Sequence, residues 1–143
     1  AAIDHRAEPK LGKALRAACP DGIDVHFENV GGAHLEAAIA NIAVGARIVF
    51  CGAVGDYDRA EGPVPVRGLA NLVMRRGRLE GYIVTDHVKR YPEAIAAMSR
   101  LIAEGRLKYA VETHDGVETA YAALTGLLAG ANTGKTIVKF ADP

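Results

Sequence analysis

Two short runs hold most of the groups that could bind a small molecule: Glu28-Asn29-Val30-Gly31-Gly32 and Cys51-Gly52-Ala53-Val54-Gly55-Asp56-Tyr57. Their glycines let a ligand approach the backbone, Asn29 offers a donor and an acceptor, and Tyr57 offers a phenol. Glycine and asparagine also suit plain turns for steric reasons, so spacing alone leaves both uses open. Gly52 and Gly55 make only a Gly-x-x-Gly fragment, and no Gly-x-Gly-x-x-Gly fingerprint opens a first crossover. Gly134-Lys135-Thr136 lacks the P-loop glycine, with Ala129 in its place, and it reads as helix then strand, the reverse of the required order. A phosphate cradle is therefore not expected from this chain.

Metal and nucleophile chemistry find little support. His5, His26, His34, His87 and His114 are scattered singly, without a His-Glu-x-x-His or a His/carboxylate cluster, so no metal is expected. Asp56, Asp58 and Glu61 match no cation cage and read as a solvated acidic loop. Cys51 ends a strand expected to be buried, where inert packing is its reading. Cys19 and Cys51 lie 32 positions apart, with neither a disulfide framework nor zinc-ligand spacing. A reducing cytoplasm is the expected location.

The elements that must position these runs follow from periodicity. Leu11, Leu15 and Ala18 give an amphipathic helix over 9–18, stopped by Pro20-Asp21-Gly22. Ile23–Phe27 alternates as a strand running into the first glycine turn. Leu35, Ala38, Ile39 and Ile42 predict a helix over 34–43 with Gly45 as its stop, and 47–51 is the next strand. A strand, a crossover helix and a strand imply parallel pairing. After an irregular stretch, 69–75 reads as a short helix and 79–85 as a third strand. Pro92 opens a helix bearing Ile95, Met98 and Ile102, which is expected to cover the sheet and to end at Gly105. A strand over 107–111, a helical stripe through Val117, Tyr121, Leu124 and Leu128, and a strand over 136–140 close the chain.

With 143 residues, 50% hydrophobic, this is one compact unit at most. Seventeen basic groups balance 17 acidic ones, so no basic stripe recommends nucleic acid or an anionic membrane surface. No apolar run approaches the roughly 20 residues of a membrane span, and no secretory signal is visible. The chain opens on Ala1-Ala2-Ile3-Asp4 rather than Met, and is expected to start inside a larger polypeptide.

Asp21-Gly22-Ile23-Asp24-Val25-His26-Phe27-Glu28-Asn29-Val30-Gly31-Gly32, Arg47–Ala53, Glu104-Gly105-Arg106-Leu107-Lys108-Tyr109 and Asn132–Thr136, in that order, resemble one family. It is the zinc-independent medium-chain dehydrogenase/reductases, in the branch of prostaglandin reductases and NADP-dependent alkenal double-bond reductases. The resemblance spans essentially the whole chain but only the carboxyl-terminal part of such an enzyme. It implies an α/β fold: the C-terminal part of a Rossmann-like doubly wound parallel sheet, with a short terminal segment belonging to the catalytic domain. Residues 1–107 would be the second half of the dinucleotide-binding domain, and 108–143 the segment returning to the catalytic domain. In the strand order 3-2-1-4-5-6, residues 1–5 would be the third strand, and the segments at Ile23, Arg47 and Leu79 the fourth to sixth.

The implied activity is reduction of the C=C bond of α,β-unsaturated ketones or aldehydes, NADPH delivering hydride to the β-carbon through an enolate-like intermediate. The implied cofactor-binding residues are Asn29, Cys51, Gly52, Ala53, Val54, Tyr57, Tyr82, Ile83, Val84 and Asn132, with Tyr57 also the catalytic candidate and no metal. NADP is inherited from the resemblance, because the choice against NAD is made on strands outside this chain. Two departures stand out: Arg59–Gly68 contains no tyrosine where related enzymes often carry one, and Glu28 stands where Asp is common. The expected partners are an enone or alkenal substrate and a second copy, since a chain without the first strands exposes an unpaired edge. Alone it is expected to be inactive and a homodimer or larger. The alternatives are a non-catalytic Rossmann-like interaction domain and a quinone reductase of the same superfamily.

Overall fold

The structure, a computed structural model, describes residues 1–57 and 59–141. It comprises two compact units, Ala1–Val88 and Lys89–Pro143, which corrects the single unit expected from chain length. In the first, the order is α1 (Leu11–Ala18), β1 (Ile23–Glu28), α2 (Gly32–Ile39), β2 (Ile42–Phe50), a 3₁₀ turn at Val54–Asp56, α3 (Ala70–Arg75) and β3 (Arg78–Gly81). The sheet runs β1-β2-β3 and both pairings are parallel, as the crossover argument requires. All three strands therefore end on one rim.

Paired positions in a parallel ladder share a face. His26, Ile48 and Leu79 lie on one face with Glu28 and Phe50; Phe27, Val49 and Glu80 lie on the other with Val25 and Arg47. The first face is covered. Leu35 and Ile39 of α2 pack with Ile42, Ala46 and Ile48, flanked by Phe50, Val66 and Leu72. Fully burying a side chain of this size is worth about 1.5–3 kcal/mol, so this cluster is what holds the strand ends in register. On the other face Val25 and Phe27 stay exposed, and the Phe27 ring meets Tyr82 edge-on at 5.9 Å, which in turn stacks on His87 at 5.0 Å.

Three expected element bounds are corrected in this unit. The helix does not reach Ala43: α2 stops at Ile39, where the Asn41 amide donates to the Ala37 carbonyl, and β2 begins at Ile42. Ile42 satisfies the helical spacing but buries its side chain from the strand. Gly45 accordingly stops no helix. It lies in an irregularity of β2, between the pairs Ile23–Ile42 and Val25–Arg47. Finally, β3 ends at Gly81 rather than Thr85, because β2 offers no partner past Phe50, whose carbonyl takes the Tyr82 N–H. Residues 1–5 form no strand either; Glu8 N–H folds back to the Asp4 carbonyl, and β1 pairs only with β2 among the described residues.

The second unit holds α4 (Tyr91–Ala103), β4 (Val111–Asp115), a 3₁₀ turn at Val117–Thr119, α5 (Ala120–Leu128) and β5 (Lys135–Lys139), with β4 and β5 parallel. Pro92 sits in the first turn of α4 as expected, while Ile95, Met98 and Ile102 are exposed. The strand expected over 107–111 begins instead at Val111. The N–H groups of Arg106 and Leu107 both return to the Leu101 carbonyl, so this stretch closes α4 and is not free to pair.

Candidate functional site

The first glycine bend is built from the last residue of β1. Glu28 is 1% exposed, and its Oε1 accepts the N–H groups of Val30 at 2.6 Å and Gly31 at 3.0 Å. Its Oε2 lies 3.0 Å from Nε2 of His26. Burial disfavours the charged carboxylate, but the His26 contact and the Gly31 and Val30 donors outweigh it and hold Glu28 below its ordinary value of 4.5. His34, at the start of α2, is pushed below 6.5 by burial and by the charge of His5, whose ring it meets edge-on at 4.7 Å; the charge of Glu28 opposes this.

The second bend is tied to the first by main chain. Cys51 and Gly52 donate to the Glu28 carbonyl, Val54 to that of Asn29 at 2.8 Å, and Gly55 to that of Val30 at 3.0 Å. The approach is close enough that a Cβ on Gly31 would lie 2.9 Å from the Ala53 methyl, and one on Gly55 2.9 Å from the Val30 oxygen. Asp56 Oδ1 accepts the Val64 N–H at 3.1 Å and draws the following loop back onto the turn. The Tyr57 hydroxyl lies over Gly52, 3.2 Å from where a Cβ would sit.

The structure thus brings Asn29, Cys51, Gly52, Ala53, Val54 and Tyr57 to one rim, with Tyr82, Ile83 and Val84 following the neighbouring strand end. Asn29, Val54, Tyr57, Ile83 and Val84 are exposed. Cys51 is exposed too, which corrects its expected burial: the residue lies one position past β2 and outside the packed face. Asn132 lies in the second unit, where its amide donates to the Gly134 carbonyl. Of the acidic loop, Asp56 is engaged by Val64, Arg59 reaches Glu61 at 3.7 Å, and Asp58 lies outside the described residues. No group of three or more His, Cys, Asp or Glu among the described residues is placed to hold a metal ion.

Sequence reasoning kept Glu28 as a turn residue and missed its clamp. The signal was available in principle: a carboxylate two and three positions before free N–H groups at a strand end can bond to both. The donor count also sets what this rim can hold. The N–H groups of Val30, Gly31, Cys51, Gly52, Val54 and Gly55 are all consumed internally. These six donors are not offered to a ligand, which the rim meets with exposed side chains along a close backbone wall.

Residues 1–138 match a protein-family model described as zinc-binding dehydrogenase. The chain is 43% identical over 131 residues to a zinc-type alcohol dehydrogenase-like protein of Schizosaccharomyces pombe, covering 91% of this chain and 37% of that protein. It is 37% identical to an NADP(+)-dependent 2-alkenal reductase of Nicotiana tabacum, covering 96% of this chain and 40% of the relative. Among solved structures, CurA of Vibrio vulnificus in complex with NADPH superposes with a TM-score of 0.86 at 36% identity, over 99% of this chain and 43% of CurA. The chain spans about two fifths of the length of the curated relatives it matches. Its sequence and its parallel α/β fold agree, and the chain belongs to the zinc-binding dehydrogenase family.

Proposed function

We propose that this chain is the C-terminal portion of an NADP-dependent oxidoreductase that reduces the C=C bond of α,β-unsaturated ketones or aldehydes, and that it does not turn over alone. The observation carrying this reading is the rim itself: two bends locked side by side at parallel strand ends, with six of their amide donors bonded within the rim. Such a wall fits the ribose and nicotinamide end of a dinucleotide, leaving the pyrophosphate to a glycine loop elsewhere, in keeping with the missing Gly-x-Gly-x-x-Gly. Similarity to a 2-alkenal reductase and to an NADPH-bound structure supports the cofactor and the substrate class.

The bound cofactor supplies the hydride; the protein supplies position. Asn29 bonds the cofactor through its exposed amide, Cys51–Val54 pass along it, and Tyr82, Ile83 and Val84 present backbone near the nicotinamide. Tyr57, held over Gly52, donates its phenol proton as a hydrogen bond to the substrate carbonyl, stabilising the charge that develops on that oxygen. On this reading residues 1–107 belong to the cofactor domain and 108–143 return to the catalytic domain. The enzyme is zinc-independent, cytoplasmic and dimeric or larger.

Calorimetric titration of NADPH into the 143-residue chain and into the full-length polypeptide tests the assignment, together with NADPH consumption on adding an alkenal or a quinone. Weak or no binding by the chain alone, with binding and alkenal-dependent turnover by the full-length protein, is the expected result. Tight binding by the chain alone contradicts a half-groove. Turnover of the quinone in place of the alkenal assigns the site to quinone reduction.

A further inference from the structure

Glu28 is a buried titratable group that takes no part in the chemistry proposed above, yet its carboxylate is wholly engaged. One oxygen accepts two successive bend amides and the other faces His26. The same residue's carbonyl receives the Cys51 and Gly52 N–H groups, so both bends hang from a single position. Asn29 follows it directly and carries the exposed amide assigned to the cofactor. The bend must keep Gly31 against Ala53, a contact with no slack, so any drift of residues 29–31 changes where Asn29 points.

We infer that Glu28 is the positioning residue of this rim: its charged carboxylate pins the Asn29–Gly31 bend against Ala53–Gly55 and so sets the place of Asn29 without touching a ligand. The cofactor half of this inference rests on the function proposed above; the pinning half does not. A carboxylate holding two N–H donors is roughly twice as strong an acceptor as a neutral group, which is why a glutamine of the same shape is not equivalent. Glutamine also turns a donor toward His26. The groups facing the carboxylate are His26 on β1 and, more distantly, His34 on α2, which His5 touches; Asp56 Oδ2 lies 3.5 Å from where a Cβ on Gly31 would sit.

The test compares E28Q and E28D. Amide hydrogen exchange on the 143-residue chain without cofactor reads the pin directly. In E28Q, Val30 and Gly31 are expected to exchange about ten- to a hundredfold faster, the range for losing a charge-assisted bond, while Ile48 inside β2 keeps its protection. E28D, which keeps the charge, restores most of the slowing. In the full-length protein, E28Q raises KM for NADPH about tenfold with a smaller change in kcat, and E28D recovers it. Unchanged exchange at Val30 and Gly31 overturns the pin. Equal loss at Ile48 reduces Glu28 to a fold-stability residue and overturns positioning, as does a KM that stays at the wild-type value. If the wild-type full-length protein does not bind NADPH, the proposed function and the cofactor half fall together, and the exchange result still decides whether Glu28 pins the bend.

Discussion

The contact between Gly31 and Ala53 lets the two-bend rim be challenged at one atom. Gly31 has φ 80° and ψ −163°, a region that only glycine occupies without strain, so Gly31→Ala costs about 1–3 kcal/mol in backbone alone. The new methyl would also stand 2.9 Å from the Ala53 methyl and 3.4 Å from its Cα, inside the 3.5–4.0 Å optimum for carbon pairs, adding about 1–3 kcal/mol of overpacking. The sum is roughly 2–6 kcal/mol, a large share of a domain's stability. Gly45→Ala is the control: Gly45 also has positive φ, at 76°, but a Cβ there meets nothing within 4 Å, leaving about 1–2 kcal/mol of backbone cost. Adding Ala53→Gly to Gly31→Ala should return the overpacking part, about 1–3 kcal/mol after correction for Ala53→Gly alone in a double-mutant cycle. Native-state hydrogen exchange at the β2 amides around Ile48 measures the wild type and all four variants within the first unit. The reasoning is refuted if Gly31→Ala costs no more than Gly45→Ala, or if Ala53→Gly gives nothing back.

Other expectations follow from neighbouring features. Ile48→Ala, which empties the covered face of the sheet, should cost about 2–5 kcal/mol by the same exchange assay. Glu28 titrates below 4.5 in the native state, so the folded form binds fewer protons than the unfolded one; its contribution is present above 4.5 and lost as pH falls from there through the native value. His34 is also lowered, so stability should fall as pH drops through 6.5, where the unfolded chain protonates first, and level off below the native value; His34→Gln should remove that step in a pH series of urea melts. Tyr57→Phe, at a 74%-exposed ring, should leave stability within about 0.5 kcal/mol and lower kcat of the full-length enzyme, on the proposed role, by about a hundredfold. Light scattering should find the chain dimeric or larger, since among the described residues β1 pairs only with β2, and its Val25 and Phe27 are exposed; a monodisperse monomer would count against this.

Much of the fold was legible because period and punctuation agreed. Leu11, Leu15 and Ala18 before Pro20-Asp21-Gly22 marked α1, and alternation from Ile23 marked β1, each within a residue or two. The end of α2 was not legible, because Ile42 continues the helical stripe and also fits the strand that buries it; only the Asn41 amide, closing on Ala37 and Gly12, decides between them. Leu107 and Tyr82 failed for a similar reason. Strand propensity is a statement about side chains, whereas pairing needs a partner with unspent backbone groups, and at both places those groups were already committed. The side-by-side bends were readable from two glycine turns after parallel strands. The clamp beneath them was not, since the role of Glu28 arises from burial and from two amides whose direction exists only once the bend has formed.

The self-sufficiency of those bends has a thermodynamic consequence. A loop that waits for its ligand to become ordered charges that ordering to the affinity, whereas here the conformational entropy is surrendered when the chain folds. A molecule meeting this wall should bind with little rearrangement of residues 28–32 and 51–55. On the proposed function, exchanging the side chains that project from it at Asn29, Cys51 and Tyr57 should alter selectivity while the scaffold beneath them keeps its shape.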